Sequence, residues 1–345
     1  MNKLLVIGSN SVHTFNFIEL VSMHFDDVLL ITNERNQEKK VRQEIVSFNL
    51  KLSSLFISPS KIRRIVREYN PTVIHVHQAN SYALYSALAL GKRSNMVLTA
   101  WGSDIFILPK KNFFWGKLVR FYINKFNYYT ADSINLAEEL KELLVESKEV
   151  LVANFGIELF QIEKEKENLF YSNRLHKPLY RIATIIYSFH TFRLKNSTID
   201  WRLVIGATGT ETENLKKIVR ELHLEDSVEF IGWVDSETNR NWYARSTFWI
   251  SIPESDATSI SLLEAMAYGC IPILSDLPSN REWIKDKING SIVAELDADF
   301  LTPAFDLDRE KVRSMNQIII QKDGTKEANR KKFISLYEKI INSQL

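Results

Sequence analysis

The sequence is poor in cysteine, in glycine-rich segments and in long apolar runs, and each shortage excludes a class of protein. Its single cysteine, Cys270, excludes a disulfide within the chain and predicts a reducing, cytoplasmic location. No stretch reaches the roughly 20 apolar residues of a membrane-spanning helix. The apolar run before Gly8 is also too short for a secretory signal. No internal repeat or Pro/Gly-rich linker is present.

The charge is nearly balanced, with 44 Lys and Arg against 42 Asp and Glu, which argues against a nucleic-acid binder. One segment departs from this balance: residues 110–125 read KKNFFWGKLVRFYINK, basic and aromatic without an acid. Two interpretations stay open. The segment is either a helix on an anionic membrane surface, peripheral on the inner face of the plasma membrane, or a core-packing helix with a solvated basic edge.

What the sequence does contain is two series of apolar strands that alternate with helices. The first series is KLLVIG, DVLLIT, PTVIHVH and MVLTAWG, and the second is WRLVIGA, SVEFIGW, TFWISIP and CIPILSD. Such strands predict parallel sheets covered on both faces. We therefore expect an α/β fold of two Rossmann-like, doubly wound domains, residues 1–155 and 156–325, that face each other across a cleft. A C-terminal helix at about 326–345 is expected to pack back on the first domain.

Ligands of open parallel sheets bind beyond the carboxyl ends of the strands. The stretch SDATSISLLEAMAYGC, residues 255–270, follows such a strand and leads into an apolar helix that ends at Gly269. The free N–H groups at the start of this helix attract phosphate. Glu264 lies one turn inside, where a carboxylate can accept hydrogen bonds from a ribose. However, Ser261 and Glu264 also have the spacing of a capping box, which needs no ligand, so both interpretations stay open.

The surroundings of this stretch resemble the donor site of the retaining glycosyltransferases of family 4, which have the GT-B fold. The resemblance rests on an acid separated by seven residues from Glu-Ala-Met-Ala, on SDLPSNREWIKDKINGSIV downstream, and on GATGTETENLKKIVRELHLEDSVEFIGW upstream. It covers residues 170–293 clearly and the N-terminal half only through scattered motifs. It implies an enzyme that moves a sugar, with retention, from a nucleotide sugar to a hydroxyl acceptor. The implied donor is UDP-linked, and no cofactor or metal is implied.

The resemblance assigns roles at the donor site. Glu264 matches the acid that binds the nucleotide ribose. Asp256 matches an acid, more often Glu in relatives, that contacts the donor sugar and supports charge development at the anomeric centre. The backbone of the helix start meets the diphosphate, and a loop after a strand holds the base. The residues at these two places are Thr258, Ser259, Ile260 and Ser261 for the diphosphate, and Gly232, Trp233 and Val234 for the base.

Basic residues complete the catalytic set that the resemblance implies. In SNRLHKPLYRI, Arg174 matches an arginine that neutralises the leaving diphosphate. Lys177 is the candidate for an accompanying lysine, and Arg181 competes with it. Fixed cations stabilise a departing nucleoside diphosphate without reorganisation. The predicted catalytic residues are thus Asp256, Glu264, Arg174 and Lys177.

The first domain offers weaker candidates for the sugar and acceptor side. Gly8 and Asn10 follow the first strand, where a sugar can approach the backbone. His77 shares a strand face with His75. The sequence offers no Cys or HExxH partner for a zinc site, so we interpret His77 as a hydrogen-bond partner of a substrate.

Trp101 stands where many members of the resembled family have a histidine that contacts the donor sugar. Because a tryptophan cannot accept a hydrogen bond, this contact must differ here. Asp104, three residues later, is expected to structure the loop.

Two D-x-D triplets, Asp297–Asp299 and Asp306–Asp308, are interpreted as solvated surface acids and not as a metal site. By analogy with the family, the acceptor is expected to be a lipid-linked glycan in O-antigen (lipopolysaccharide) or capsule biosynthesis. Two alternatives remain. The departures at Trp101 and Asp256 suit a non-catalytic sugar-nucleotide or glycan-binding protein, and a sugar-nucleotide epimerase can share the fold.

Overall fold

The computed structural model describes residues 1–162, 164–196, 199–256, 258–296 and 299–344. The chain divides into two compact units: unit 1 is Met1–Phe155 with Lys326–Leu345, and unit 2 is Gly156–Thr325.

Unit 1 is a parallel sheet with helices on both faces. Its described strands are β1 (Lys3–Ile7), β2 (Asp27–Thr32), β3 (Arg42–Ile45), β4 (Val73–His77), β5 (Met96–Thr99), β6 (Tyr128–Ala131) and β7 (Val150–Val152). Its first helices are α1 (Val12–Val21), α2 (Leu52–Tyr69), α3 (Ser81–Leu90), α4 (Ser103–Phe106), α5 (Phe113–Ile123) and α6 (Ile134–Leu143). The seven described strands follow the order β3-β2-β1-β4-β5-β6-β7, and every neighbouring pair is parallel.

Alternation along β1 explains why both faces of this sheet are covered. Leu5 and Ile7 pack in one apolar cluster, whereas Leu4 and Val6 pack in another. All four side chains are fully buried. Successive side chains of a strand point to opposite faces, so a continuous apolar strand needs a helical layer on each side.

Unit 2 repeats the plan. Its described strands are β8 (Glu167–Ser172), β9 (Arg202–Gly206), β10 (Val228–Gly232), β11 (Ser246–Ser251), β12 (Ile271–Ser275) and β13 (Ser291–Val293). Its helices are α7 (Ile182–Lys195), α8 (Thr212–Glu221), α9 (Ser236–Arg245), α10 (Ile260–Ala267), α11 (Pro278–Arg281) and α12 (Arg309–Ile319). Among the described residues the sheet has six parallel strands in the order β10-β9-β8-β11-β12-β13. The prediction of two Rossmann-like, doubly wound sheets is confirmed.

The last helix, α13 (Lys326–Asn342), belongs to unit 1. Its Phe333, Tyr337 and Ile340 are buried in the same apolar cluster as Leu4 and Val6. The Tyr337 hydroxyl lies 2.7 Å from Nδ1 of His75, which is buried in β4. The helix therefore covers one face of the unit 1 sheet.

Candidate functional site

In unit 2, the adjacent strands β8 and β11 end beside each other and deliver two loops to the same sheet edge. Arg174 follows β8, and Asp256 follows β11. The Arg174 Nη2 lies 2.5 Å from the Asp256 Oδ2, and the two side chains are 12% and 24% exposed. Nη1 of the same guanidinium donates to the Ser259 hydroxyl at 2.6 Å. Two predicted site residues and the start of α10 thus meet at one cation.

Among the described residues, the start of α10 has no side-chain cap. Its N-cap residue is Ser259, and the Ser259 side chain makes no capping hydrogen bond, because its hydroxyl faces Arg174. The capping-box interpretation of Ser261 and Glu264 is therefore wrong: the helix begins at Ile260, so Ser261 is already inside it. An uncapped helix start beside a guanidinium is a place for an anion.

Arg174 is held from its other side as well. Its guanidinium carbon lies 4.7 Å from the centre of the Tyr180 ring, which fixes the plane of the group. Its Nε is buried and has no hydrogen-bond partner among the described residues. Thr258 Oγ1 is likewise buried without a partner in that part of the chain.

Glu264 faces α9 and not the helix start. Its Oε2 lies 3.5 Å from Nδ2 of Asn239. Burial raises the pKa of Glu264, while a hydrogen bond with Tyr243 and the charge of Arg240 oppose that rise. The carboxylate is half-buried, and its nearest partners are an amide and a phenol. This leaves it able to accept hydrogen bonds from a ligand.

Sequence reasoning missed the residues that hold Glu264 in place. Asn173 donates to Tyr243 Oη at 2.8 Å and to Asn239 Oδ1 at 3.1 Å, and its own Oδ1 accepts from Trp249 Nε1 at 3.0 Å. One signal was available: Asn239 and Tyr243 are four residues apart and share a face of α9. Asn173 directly precedes Arg174, so one loop supports both the acid and the cation.

The two competing basic residues differ in their surroundings. Lys177 is exposed. Arg181 adopts a left-handed backbone with φ of 52°, and its Nη2 lies 3.4 Å from Glu254 Oε1. Glu254 lies two residues before Asp256 in the loop after β11, and Arg181 therefore lies beside that loop.

The predicted base-binding loop lies at the end of β10. Gly232 has a φ of +68°, a conformation that favours glycine. Trp233 is 74% exposed, and Val234 is partly exposed.

The D-x-D residues form no cluster of metal ligands within the described ranges. Asp297 lies outside the described residues. Asp299 is not a solvated acid as predicted: its side chain is 3% exposed and pairs with Lys195 Nζ at 2.9 Å. Asp306 and Asp308 are exposed, and Asp308 caps α12 by accepting from Lys311 N.

In unit 1, the candidates lie at the carboxyl ends of β1, β4 and β5. A Cβ on Gly8 would lie 3.3 Å from the Cβ of His77 and 3.2 Å from Thr14 Oγ1, which explains the glycine. Asn10 is half-exposed in the same loop.

His77 is fully buried and accepts a hydrogen bond at Nδ1 from Trp101 Nε1 at 3.3 Å. Burial lowers the pKa of His77 to about 3, so the ring is neutral. Trp101 occupies Nδ1 of His77, and the expectation that His77 meets a substrate stays a prediction. Trp101 is half-exposed and has an edge-to-face contact with His13 at 5.4 Å.

Asp104 is buried and accepts from Ala79 N at 2.5 Å and from Trp101 N at 3.0 Å. The prediction that Asp104 structures the loop is confirmed. Burial raises the pKa of Asp104, and these backbone N–H groups oppose that rise. The carboxyl group therefore ties the loops after β4 and β5 together.

Comparison with known proteins agrees with the α/β fold of the two units. Residues 3–137 match the family described as "Glycosyl transferase 4-like", and residues 157–307 match "Glycosyl transferases group 1". The solved glycosyltransferase of Rickettsia africae superposes with a TM-score of 0.78 at 14% identity and covers 99% of this chain and 98% of its own. An Anabaena protein, HepE, solved with UDP, gives 0.77 at 13% identity and covers 98% and 100%.

Two curated relatives are more similar in sequence. N-acetyl-alpha-D-glucosaminyl L-malate synthase of Bacillus anthracis is 28% identical over 61% of this chain. Alpha-monoglucosyldiacylglycerol synthase of Streptococcus pneumoniae is 23% identical over 68% of it. The matched region spans 58% of the length of each relative. With a match to each of its two units, the chain belongs to the group 1 glycosyltransferases that have a glycosyl transferase 4-like N-terminal domain and the GT-B fold.

Proposed function

We propose that this glycosyltransferase moves a sugar, with retention of anomeric configuration, from a UDP-sugar to a hydroxyl of its acceptor. The observation that carries the proposal is the contact of one guanidinium, Arg174, with both Asp256 and the uncapped start of α10. This arrangement supplies a cation and free N–H groups for a diphosphate. It also supplies an acid for the sugar next to it.

The geometry supports the following roles. Diphosphate oxygens would take the N–H groups at the start of α10 and share Arg174 with Asp256. Glu264, one turn further, would accept the ribose hydroxyls. The Trp233 ring is exposed and would stack on a base. Two findings support a nucleotide-sugar donor: residues 157–307 match the group 1 glycosyltransferases, and the Anabaena structure contains UDP.

The chemical step is an exchange of one bond at the anomeric carbon. The bond from that carbon to the β-phosphate oxygen breaks, and a bond to the acceptor oxygen forms on the same face. The acceptor proton passes to the departing phosphate, which leaves UDP. Arg174 and the helix dipole stabilise the charge that develops on this phosphate, in a role that needs no resident metal.

The acceptor is proposed to be a lipid-linked glycan or another lipid-borne hydroxyl, met at a membrane surface. Segment 110–125 supports this because Phe113 is 78%, Phe114 68% and Phe121 50% exposed. Lys117 Nζ lies 4.4 Å from the Phe113 ring, and Lys125 Nζ lies 4.9 Å from the Phe121 ring. A relative named as a diacylglycerol-glycoside synthase is consistent with such an acceptor. Within the described residues, no helix is both long and apolar enough to cross a bilayer.

The test is turnover of a panel of UDP-sugars with and without glycoside acceptors. We expect UDP release coupled to a product with the anomeric configuration of the donor, read by NMR. Glu264→Ala should abolish transfer, whereas Glu225→Ala, at an exposed acid of the same unit, should leave it nearly unchanged. Excess EDTA should have no effect.

Three outcomes would contradict the proposal. Saturable binding of UDP-sugar without turnover would indicate a binding protein. A changed donor sugar in the absence of acceptor would indicate an epimerase. Full activity of Glu264→Ala would remove the donor site from α10.

A further inference from the structure

A chain of amide side chains lies along the carboxyl edge of the unit 1 sheet, beyond the adjacent strands β2, β1 and β4. Asn33 follows β2, Asn10 follows β1 and Gln78 follows β4. Asn33 and Asn10 are joined directly, because the Asn10 backbone N donates to Asn33 Oδ1 at 2.9 Å. The Tyr82 hydroxyl also donates to Asn33 Oδ1, at 2.9 Å. Through Tyr82 the chain continues toward β4.

The continuation runs through Asn80. Asn80 Oδ1 accepts from the Tyr82 backbone N at 3.1 Å, and Asn80 Nδ2 lies 3.4 Å from Gln78 Oε1. Gln78 has a positive φ of 75°, an uncommon conformation for a residue other than glycine. Such backbone positions concentrate at ligand sites.

In the hydrogen bonds that involve the side chains of Asn33, Asn10 and Gln78, the side-chain oxygen is the acceptor. Asn33 Oδ1 accepts from Asn10 N, Thr32 Oγ1 and Tyr82 Oη. Asn10 Oδ1 accepts from Asn36 Nδ2 at 3.2 Å. Each amide has its oxygen engaged by the protein, which turns its NH₂ group away from that contact. Asn33 is exposed, and Asn10 and Gln78 are half-exposed, so all three residues are open to solvent.

We propose that Asn33, Asn10 and Gln78 form an acceptor subsite that donates hydrogen bonds to the hydroxyl and ring oxygens of an uncharged sugar. The subsite rests on the proposed transfer reaction and names the acceptor class: a glycoside, bound by amides and not by a salt bridge. Amide N–H groups held in fixed positions are uncharged hydrogen-bond donors. They match the hydroxyl oxygens of a sugar, which accept hydrogen bonds without carrying a charge.

The test exchanges single amides for carboxylates. Asn33→Asp keeps an oxygen for Asn10 N, Thr32 and Tyr82, and replaces only the outward NH₂ by an acceptor. Asn10→Asp does the same at the next position. The matched control is Asn127→Asp, at the amino edge of the same sheet just before β6.

The probes are methyl glucoside, methyl galactoside and methyl N-acetylglucosaminide, observed by saturation-transfer NMR. We expect at least one to bind the wild type, and its affinity to fall about tenfold in Asn33→Asp and Asn10→Asp but not in Asn127→Asp. Equal binding by all four proteins, or no binding of any glycoside by the wild type, would overturn the subsite.

The same samples separate this subsite from the donor site. UDP-induced thermal stabilisation should be the same in wild type, Asn33→Asp and Asn10→Asp, because their changes lie in unit 1. Loss of that stabilisation in Glu264→Ala would support the donor site even if the glycosides show no binding. Lack of any UDP effect in the wild type, with glycoside binding intact, would count against the proposed donor alone.

Discussion

At the scale of single residues, the proposed donor site contains a carboxyl group whose charged form is disfavoured by burial. Glu264 is half-buried, and burial raises its pKa. Its direct contacts, Asn239 and Tyr243, are neutral. A partly buried carboxylate lowers the stability of the fold, and in the proposed site it would accept hydrogen bonds from a ribose. Such a loss of stability is typical of functional sites.

This trade predicts the effect of Glu264→Gln. Because the folded state holds the proton to higher pH, the native carboxyl costs stability as pH rises past the unfolded value of about 4.3. Glutamine has no proton to lose, so the variant should be more stable than wild type at pH 7 and equal to it at low pH. UDP affinity should fall about tenfold, since an amide offers one acceptor where a carboxylate offers two.

Thermal melts from pH 3 to 8 with and without UDP measure both effects. Glu225→Gln serves as the control, because Glu225 is an exposed acid of the same unit. A difference between Glu264→Gln and wild type that does not change with pH would refute the role of burial.

At the scale of elements, the loop from β9 to α8 packs against the segment after β8 that carries Arg174. His176 is buried; its Nε2 lies 3.0 Å from the Gly206 carbonyl oxygen, and its Nδ1 lies 2.8 Å from Thr212 Oγ1. The loop from β9 to α8 is thereby fixed to the segment that follows β8. A Cβ on Gly209 would lie 2.3 Å from the His176 carbonyl oxygen, so this loop needs a glycine there.

Gly209→Ala should therefore displace the segment of Arg174, two residues from His176. We expect a loss of about 1–3 kcal/mol in the free energy of unfolding, as for overpacked sites, and a weaker response to UDP. Thr210→Ala, at an exposed neighbour in the same loop, is the control. Chemical denaturation and UDP titration measure the two effects, and wild-type values for both in Gly209→Ala would show that the loop does not position Arg174.

The same scale shows how far the sequence could predict the fold. The C-terminal helix predicted at about 326–345 is the helix Lys326–Asn342, and apolar runs such as VIHVH are buried strands. The strand β8 was not predicted, because ENLFYS begins with polar residues after a charged run. The strand β3, RQEI, was not predicted either. It is an edge strand with exposed side chains, so it lacks the apolar run that marks a central strand.

The candidate site was predictable only in part, for a related reason. The family pattern named Arg174, Asp256 and Glu264, and the first two meet. The partners Asn173 and Tyr243 come from elements far apart in sequence. Hydrogen bonds of this kind follow from tertiary packing and leave no local periodicity.

At the scale of the whole molecule, the chain is nearly neutral, with a net charge of +2. The surface of α5 differs from this average, because it combines exposed apolar side chains with basic ones. Phe113 and Phe114 are 78% and 68% exposed, beside basic side chains that include Lys117 and Lys111. Inward, Val119, Tyr122 and Ile123 pack on the core. The helix therefore has a core face, as the core-packing interpretation predicts, and an exposed aromatic and basic face, for which contact with a membrane stays a prediction.

The proposed membrane contact predicts that Phe113→Ser with Phe114→Ser weakens binding to vesicles about tenfold or more, because two aromatic side chains no longer enter the interface. Sedimentation with vesicles containing anionic lipid measures this, and neutral vesicles should bind less because each nearby Lys or Arg contributes about 1 kcal/mol. Met23→Ser is the matched control, since Met23 is 87% exposed elsewhere in unit 1. If the double variant and the control bind vesicles equally, the aromatic face of α5 is not the membrane contact.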